Sequence, residues 1–410
     1  MSSQAFDVLI VGAGQAGAAV AIHLRQLGFA GTVALVGEEP DLPYERPPLS
    51  KAYLSGEINA DKLLLRPATF WIENKVDVIT RGRVVAIDAQ RHEVTLGTGP
   101  TIGYRHLVWA TGGHARKLSC PGSNLDGLHV VRTRTDVDKL RGEITNVKNI
   151  VIVGGGYIGL ETAAVLAKLG KSVTVLEAQT RVLERVTSPT VSAFFEKEHR
   201  SHGVQIRTST NVIALEGRGN HVSSVVLADN SRLSADLVVV GIGLALETGP
   251  LQSAGAVCTN GIDVDAQCRT SLPNIYAVGD CASHENKYAQ GRRIRLESVQ
   301  NANDQGKVAA SNIAGTPSIY DAVPWFWSSQ YDLKLQTVGL CTGYDDHVVR
   351  GSLESRSFSV IYLREGRVIA LDCINAPRDY VQGRKLVTLD TNVNRSALAD
   401  IGQDLARLAV

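Results

Sequence analysis

Hydrophobic and polar positions along this chain fall twice into the same pattern. Residues 7–36 read as an apolar strand (Asp7–Val11), a glycine turn, a helix (Ala18–Leu27) and a second apolar strand (Val33–Val36). Residues 149–176 repeat the plan, with strand Ile150–Val153, a glycine turn, helix Leu160–Leu169 and strand Ser172–Leu176. Each reads as a βαβ unit, whose strands run parallel and whose crossover is right-handed. The rest of the chain is read around these two units.

Between them lie short alternating strands, Val84–Ile87 and Glu93–Leu96, then Leu107–Ala110, which closes on Thr111-Gly112-Gly113. After the second unit come strands Gln205–Arg207, Val222–Leu227 and Leu237–Val240. An apolar strand ending at Gly279-Asp280 and a long polar helix near Asn301–Ile313 follow. Beyond about residue 319 the pattern changes to antiparallel strands, Gln336–Leu340, Val348–Leu353, Phe358–Leu363 and Val368–Ile374, with Glu365-Gly366 as a hairpin turn. Helices at about Asp379–Leu389 and Arg395–Leu408 complete the chain. The expectation is an α/β protein of two Rossmann-like domains plus a C-terminal α+β domain.

The glycine turns carry the first chemistry. In Gly12-Ala13-Gly14-Gln15-Ala16-Gly17, one glycine permits the tight turn, the next lets the backbone approach a pyrophosphate, and the third lets helix and strand pack closely. The helix then points free N–H groups at phosphate. Glu38 ends the following strand, where a carboxylate can accept hydrogen bonds from ribose hydroxyls. The second turn is Gly154-Gly155-Gly156-Tyr157-Ile158-Gly159, and its strand ends at Glu177, which suits the free 2′-OH of NAD. Arg181 and Arg185 lie close in sequence and could hold a 2′-phosphate; they are read as solvated charge, so NADH is expected over NADPH. FAD needs late segments to close over its ring, and Gly279-Asp280 offers a carboxylate for the ribityl chain. The first unit with that segment is therefore assigned to FAD and the second to NAD. The domain limits are 1–112 with 241–318 for FAD, 113–240 for NAD and 319–410 for the C-terminal domain.

Composition narrows the class. Lys+Arg number 42 against 41 Asp+Glu, a net charge of +1, which argues against wholesale binding to nucleic acid or an anionic membrane. The run Val8–Leu24 is apolar, but no Lys or Arg precedes it and its glycines have another reading, so no export signal is expected. Cys120, Cys258, Cys268, Cys281, Cys341 and Cys373 are scattered and form no CxxC pair. That pattern suits reduced thiols in a cytoplasmic protein and offers no thiol relay. No metal site is expected.

Several runs are more specific than the glycines. They are Arg46-Pro47-Pro48-Leu49-Ser50-Lys51, Trp109-Ala110-Thr111-Gly112-Gly113, Val153 to Glu161, Tyr276-Ala277-Val278-Gly279-Asp280, Arg295-Leu296-Glu297-Ser298-Val299 and Pro324-Trp325-Phe326-Trp327-Ser328. In them the chain resembles, over nearly its whole length, the oxygenase-coupled, NADH-dependent ferredoxin reductases. These are FAD-dependent pyridine nucleotide oxidoreductases of glutathione-reductase-like fold. The resemblance implies that Ala16, Glu38, Arg46, Lys51, Val84, Arg132, Asp280 and Val299 line FAD, and that Tyr157, Ile158, Glu161 and Glu177 meet NADH. Trp327 would lie near the flavin, away from the nicotinamide. Thr111, Gly112, Gly243, Glu297 and Ser298 are taken as cofactor-binding with them. The run Gly241–Glu247 departs from the family in lacking its Pro-Asn ending.

Lys51 follows a rigid Pro-Pro pair, and Glu161 stands two residues beyond Gly159. A Lys51–Glu161 ion pair beside the flavin is expected, its ammonium meeting the charge that reduction builds. The family's chemistry is hydride transfer from NADH to FAD, then single-electron transfers to a [2Fe–2S] ferredoxin that feeds an oxygenase or cytochrome P450. Such ferredoxins are acidic, and Arg292, Arg293, Arg295 and Lys307 are the candidate docking patch. The competing reading is an NADH-responsive redox sensor resembling apoptosis-inducing factor.

Overall fold

The computed structural model describes residues 4–389 and 392–408. The chain divides into two compact units. The first holds the residues up to Glu45, Leu63–His114 and Ala245–Pro324; the second holds Arg46–Lys62, Ala115–Leu244 and the chain from Trp325 onward. Residues 46–62, read from the sequence as part of the first domain, pack in the second unit.

In the first unit the parallel strands Val76–Ile79, Val33–Val36, Gln4–Val11 and Thr101–Trp109 lie side by side in that order, and Ile275–Ala277 adds to the far edge of Thr101–Trp109. Glu93–Leu96 and Val84–Asp88 extend the sheet antiparallel. Val8 and Ile10 pack into one core with Leu24 and Val308 of the flanking helices Gln15–Gln26 and Val299–Ile313. Leu9 and Val11 face a second core with Trp109 and Leu251. A strand buried on both faces is apolar at every position, which is why this run reads as continuous rather than alternating.

The second unit repeats the plan. Its parallel sheet runs Gln205–Arg207, Ser172–Leu176, Asn149–Val153, Leu237–Val240, Leu128–Val130, with helix Tyr157–Lys168 crossing from Asn149–Val153 to Ser172–Leu176. An antiparallel meander, Val212–Arg218, His221–Leu227 and Arg232–Ser234, follows. The C-terminal segment forms an antiparallel sheet in the order Trp325–Gln330, Leu333–Gly339, Arg367–Ile374, Ser357–Arg364, Asp346–Ser352. Its first strand, rich in tryptophan, opens with three half-buried aromatic residues and so lacks a clear two-residue alternation. The expected hairpin turn is present, with Glu365 at φ 52° and Gly366 at φ 77°, the paired left-handed geometry of a two-residue turn. Helix Pro377–Leu389 lies against the sheet. A β-carbon at its Gly383 would stand 2.4 Å from Leu371 Cδ2.

One expected element is corrected. The helix read over Arg395–Leu408 stops at Ala399; Asp400 is extended, its carboxylate accepts from Gly402 N–H at 2.9 Å, and only a single turn returns at Leu405–Arg407. Buried Arg350 explains the break. Its guanidinium donates to the carbonyls of Leu398 (3.2 Å), Asp400 (2.5 Å) and Gln403 (2.7 Å) and pairs with Asp379 at 3.1 Å. Carbonyls that a helix would use internally are satisfied by a side chain instead. Arg350→Ala strands those carbonyls and Asp379, so it is expected to cost about 3–5 kcal/mol of stability, read as a fall in calorimetric midpoint. A loss below about 1 kcal/mol contradicts this role for Arg350.

Candidate functional site

The first glycine turn is held by close backbone approach. Gly12 has φ 112°, and a β-carbon there would stand 2.3 Å from Ala110 O; a β-carbon at Gly17 would stand 2.0 Å from Gly12 O. Gly14 is different. Nothing lies within 4 Å of where its β-carbon would be, and it caps helix Gln15–Gln26 without a side-chain hydrogen bond. No side chain therefore blocks the helix N-terminus, whose free N–H groups are of the kind that meet a phosphate. Gly279 (φ 79°) brings the end of Ile275–Ala277 onto Ala16, whose β-carbon would lie 2.9 Å from a side chain there. Its N–H donates to Gln305 at 2.8 Å. The neighbouring Asp280 carbonyl accepts from Arg295 at 2.7 Å, and Arg295 also pairs with Glu297 at 2.9 Å. Ser298 caps helix Val299–Ile313 by accepting from Asn301 N–H at 3.1 Å.

Glu38 is partly exposed beside His114 Nδ1 at 3.4 Å and Arg83 Nε at 4.0 Å. Val84 is buried, and Thr111 donates to Glu247 O at 3.3 Å, next to left-handed Gly112. The first unit therefore gathers Gly12, Gly14, Ala16, Gly17, Glu38, Val84, Thr111, Gly112 and Asp280 with Glu297, Ser298 and Val299. Of the residues assigned to FAD, Arg46, Lys51, Arg132 and Trp327 belong to the second unit.

The second turn repeats the geometry closely. Gly154 has φ 113° with its absent β-carbon 2.3 Å from Gly241 O, and that of Gly159 would stand 2.1 Å from Gly154 O. Gly156 again faces open space and caps helix Tyr157–Lys168 with no side chain. Glu177 accepts from Gly155 N–H at 2.7 Å and Gln179 N–H at 2.8 Å, which fixes its carboxylate at the turn with lone pairs to spare. Ile158, on the first helical turn, is 44% exposed. Tyr157 stacks obliquely on Phe326 at 4.6 Å, while Gly243, at φ 97°, accepts from Arg116 N–H at 2.9 Å. Arg181 is committed locally, donating to Ser192 Oγ at 2.6 Å and Glu184 O at 3.0 Å.

Lys51 and Glu161 are brought together. Lys51 Nζ lies 2.5 Å from Glu161 Oε2, and Glu161 is 4% exposed. Two residues given no role from the sequence complete the group: Ser50 Oγ donates to the same oxygen at 2.6 Å, and Ser328 Oγ donates to Oε1 at 2.7 Å. Ser50 adjoins Lys51, and Ser328 closes the tryptophan run, so both stood inside segments already singled out. Lys51 also donates to Pro47 O at 3.1 Å, so the proline pair helps aim it. Arg46 donates to Arg132 O at 2.6 Å. Trp327 lies 5.6 Å from Trp325 and 6.3 Å from Phe326, centre to centre.

The cysteines are all free, and burial pushes their thiols up, Cys281 to about 11 and Cys341 to about 12. A redox thiol needs the reverse. The basic candidates are mostly committed: Arg293 donates to Ser283 O at 2.7 Å beside Glu285 and Asp263, Arg295 serves Glu297, and Lys307 pairs with Asp304 at 3.4 Å. Arg292 is exposed and bonds Ala289 O at 3.1 Å. Among the described residues no group of three His, Cys, Asp or Glu is placed to hold a metal ion, and no helix is long and apolar enough to cross a membrane.

Residues 6–306 match the pyridine nucleotide-disulphide oxidoreductase model and residues 325–409 the reductase C-terminal model. A ferredoxin reductase subunit of a 5,5′-dehydrodivanillate O-demethylase from a Sphingobium species is 55% identical over 404 residues, with 98% of each chain covered. The ferredoxin reductase of the CYP199A2 system from Rhodopseudomonas palustris superposes with a TM-score of 0.95 at 40% identity, covering 98% of this chain and all of its own. Putidaredoxin reductase, solved covalently bound to putidaredoxin, gives 0.95 at 39% identity, covering 100% of this chain and 98% of its own. With two open glycine cradles and a part-buried Lys–Glu pair in place, the chain belongs to the pyridine nucleotide-disulphide oxidoreductase family, among its FAD- and NAD(H)-dependent ferredoxin reductases.

Proposed function

We propose that this chain takes hydride from NADH onto FAD and passes the electrons one at a time to a [2Fe–2S] ferredoxin that serves an oxygenase or cytochrome P450. The observation that carries this reading is the duplicated cradle, open at Gly14 and again at Gly156. Two dinucleotides in one chain suit a transfer between them. Bound FAD supplies the step between two-electron and one-electron chemistry.

Each residue's part follows from its surroundings. Gly12, Gly14 and Gly17 receive the FAD pyrophosphate, with Glu38 for the adenosine ribose. Gly154, Gly156 and Gly159 do the same for NADH, with Glu177 held at the ribose. That carboxylate repels a 2′-phosphate, and Arg181 is spent on Ser192 and Glu184, which favours NADH over NADPH. Lys51 meets the negative charge that builds on reduction, and Glu161 holds its ammonium in place. Thiols raised by burial suit a path with no cysteine relay, and free cysteines suit a reducing compartment such as the cytoplasm.

Docking is assigned to an acidic ferredoxin surface. With Arg293 and Arg295 bound to their own carboxylates and carbonyls, the steering charge falls chiefly to exposed Arg292, with a contribution from Lys307, whose ammonium stays largely exposed while paired with Asp304.

Two outcomes are expected. In stopped-flow bleaching by NADH, Lys51→Ala and Glu161→Ala slow the limiting rate about a hundredfold, with the NADH dissociation constant nearly unchanged in Lys51→Ala. Wild-type rates in both variants remove the pair from the mechanism. Ferredoxin reduction slows as ionic strength rises, and Arg292→Glu with Lys307→Glu lowers kcat/KM for ferredoxin while NADH bleaching is unaltered. A salt-independent rate, insensitive to those reversals, overturns the patch.

A further inference from the structure

The Lys51–Glu161 pair is the inner end of a longer chain of buried polar groups. Ser328 Oγ donates to Glu161 Oε1 at 2.7 Å, Gln330 Nε2 donates to Ser328 Oγ at 3.2 Å, and Gln330 Oε1 faces His199 Nε2 at 2.8 Å. His199 Nδ1 faces Tyr331 O–H at 3.0 Å. Ser328, Gln330 and His199 are all at most 1% exposed. Groups this deep must be satisfied within the protein, so the direction of each bond is open to derivation.

A carboxylate only accepts, so the Ser328 proton points at Glu161. The serine oxygen then accepts from the Gln330 amide, which turns the Gln330 carbonyl toward His199. That carbonyl requires a proton on His199 Nε2. Burial pushes the His199 imidazole down to about 4, so near neutral pH it carries one proton, and the chain places it on Nε2. Nδ1 is left bare to accept from Tyr331. Every bond runs toward Glu161, and the anion sets the sense.

The outer end shows the same demand. Tyr331 sits in the turn between strands Trp325–Gln330 and Leu333–Gly339 with φ 57°, a conformation that favours glycine or asparagine. Its ring stacks on His202 at 3.8 Å, and its hydroxyl reaches His199. An aromatic residue held in left-handed backbone marks a position where the side chain is needed. The chain thus ties Glu161 on helix Tyr157–Lys168 to the Trp325–Gln330 strand and to His199 on helix Pro189–Ser201.

We propose that Ser328, Gln330 and His199 are positioning residues, a one-way hydrogen-bond chain that fixes the Glu161 carboxylate against Lys51. The functional half of this inference rests on the reading of Lys51–Glu161 given above. Cutting the chain leaves both charges in place but frees the carboxylate to turn, which weakens the placement of the ammonium.

The test combines rate with a signal that activity does not supply. In the FAD-loaded enzyme labelled with ¹⁵N-histidine, and assigned against His199→Gln, wild-type His199 is expected as the Nε2–H tautomer. Ser328→Ala frees the Gln330 amide, so protonation moves toward Nδ1, and limiting hydride transfer falls about tenfold at unchanged NADH affinity. Ser328→Thr, which keeps the hydroxyl, restores both. Gln330→Leu, one link further out, moves the tautomer with a smaller loss of rate. An Nδ1–H tautomer in the wild type overturns the proposal, as does a Ser328→Ala enzyme with wild-type rate and tautomer. Failure of the underlying reading shows itself separately: Lys51→Ala then bleaches at the wild-type rate while His199 stays Nε2–H and still answers to Ser328→Ala, which leaves the chain's polarity standing.

Discussion

Two backbone oxygens, those of Gly12 and Gly154, lie where the β-carbon of any other residue at Gly17 or Gly159 would be. That approach seats each crossover helix directly on the strand before it. Once it is seated, the middle glycine of each turn faces open space at the helix N-terminus, where unpaired N–H groups and the helix dipole favour phosphate. The same hydrogen bond anchors both turns, Gly12 N–H to Val36 O and Gly154 N–H to Leu176 O, each at 2.8 Å. On the proposed reading function follows from repetition: one such turn takes one nucleotide, and the chain has two.

The second constraint is a buried charge. Glu161 is only 4% exposed, and a charge taken out of water costs several kcal/mol unless partners compensate it. Lys51 supplies opposite charge, while Ser50 and Ser328 fill remaining lone pairs. Hydrogen bonds to a charged group contribute about 1.5–3 kcal/mol each, and an ion pair so enclosed keeps a fixed geometry that an exposed pair would lose to solvent. The thiols tell the complementary story. Burial with little charge compensation raises them, so they are poor nucleophiles and poor relays.

Local signals were legible where spacing alone decides the structure. The βαβ units, the acidic residues ending their second strands and the Lys51–Glu161 pair all followed from residues close together in sequence or from runs shared with a family. Helices Arg134–Ile144 and Pro189–Ser201 lie outside the repeated pattern, although their starts are written plainly. Thr133 and Asp136 form a reciprocal cap, and Ser188 precedes Pro189 at the first helical position. Long-range partners were not legible. Ser328 reaches Glu161 across 167 positions, and Arg350 unwinds the expected last helix by taking carbonyls about fifty residues away. The surroundings of the basic run are long-range in the same way: the arginines are visible in sequence, but Glu285, Asp263 and Glu297 beside them are visible only in space.

On the proposed reading, nucleotide phosphates lie against the two middle glycines, one nucleotide to each. Both have extended backbone that any residue adopts, Gly14 at φ −90° and Gly156 at φ −79°, so a side chain at either should leave the fold intact. The deciding measurement is the visible spectrum of Gly14→Val and Gly156→Val proteins before and after NADH. Gly14→Val should fold but purify colourless, and Gly156→Val should purify yellow and stay yellow when NADH is added. A Gly156→Val protein bleached by NADH at the wild-type rate, or a Gly14→Val protein with its full complement of flavin, would contradict the account.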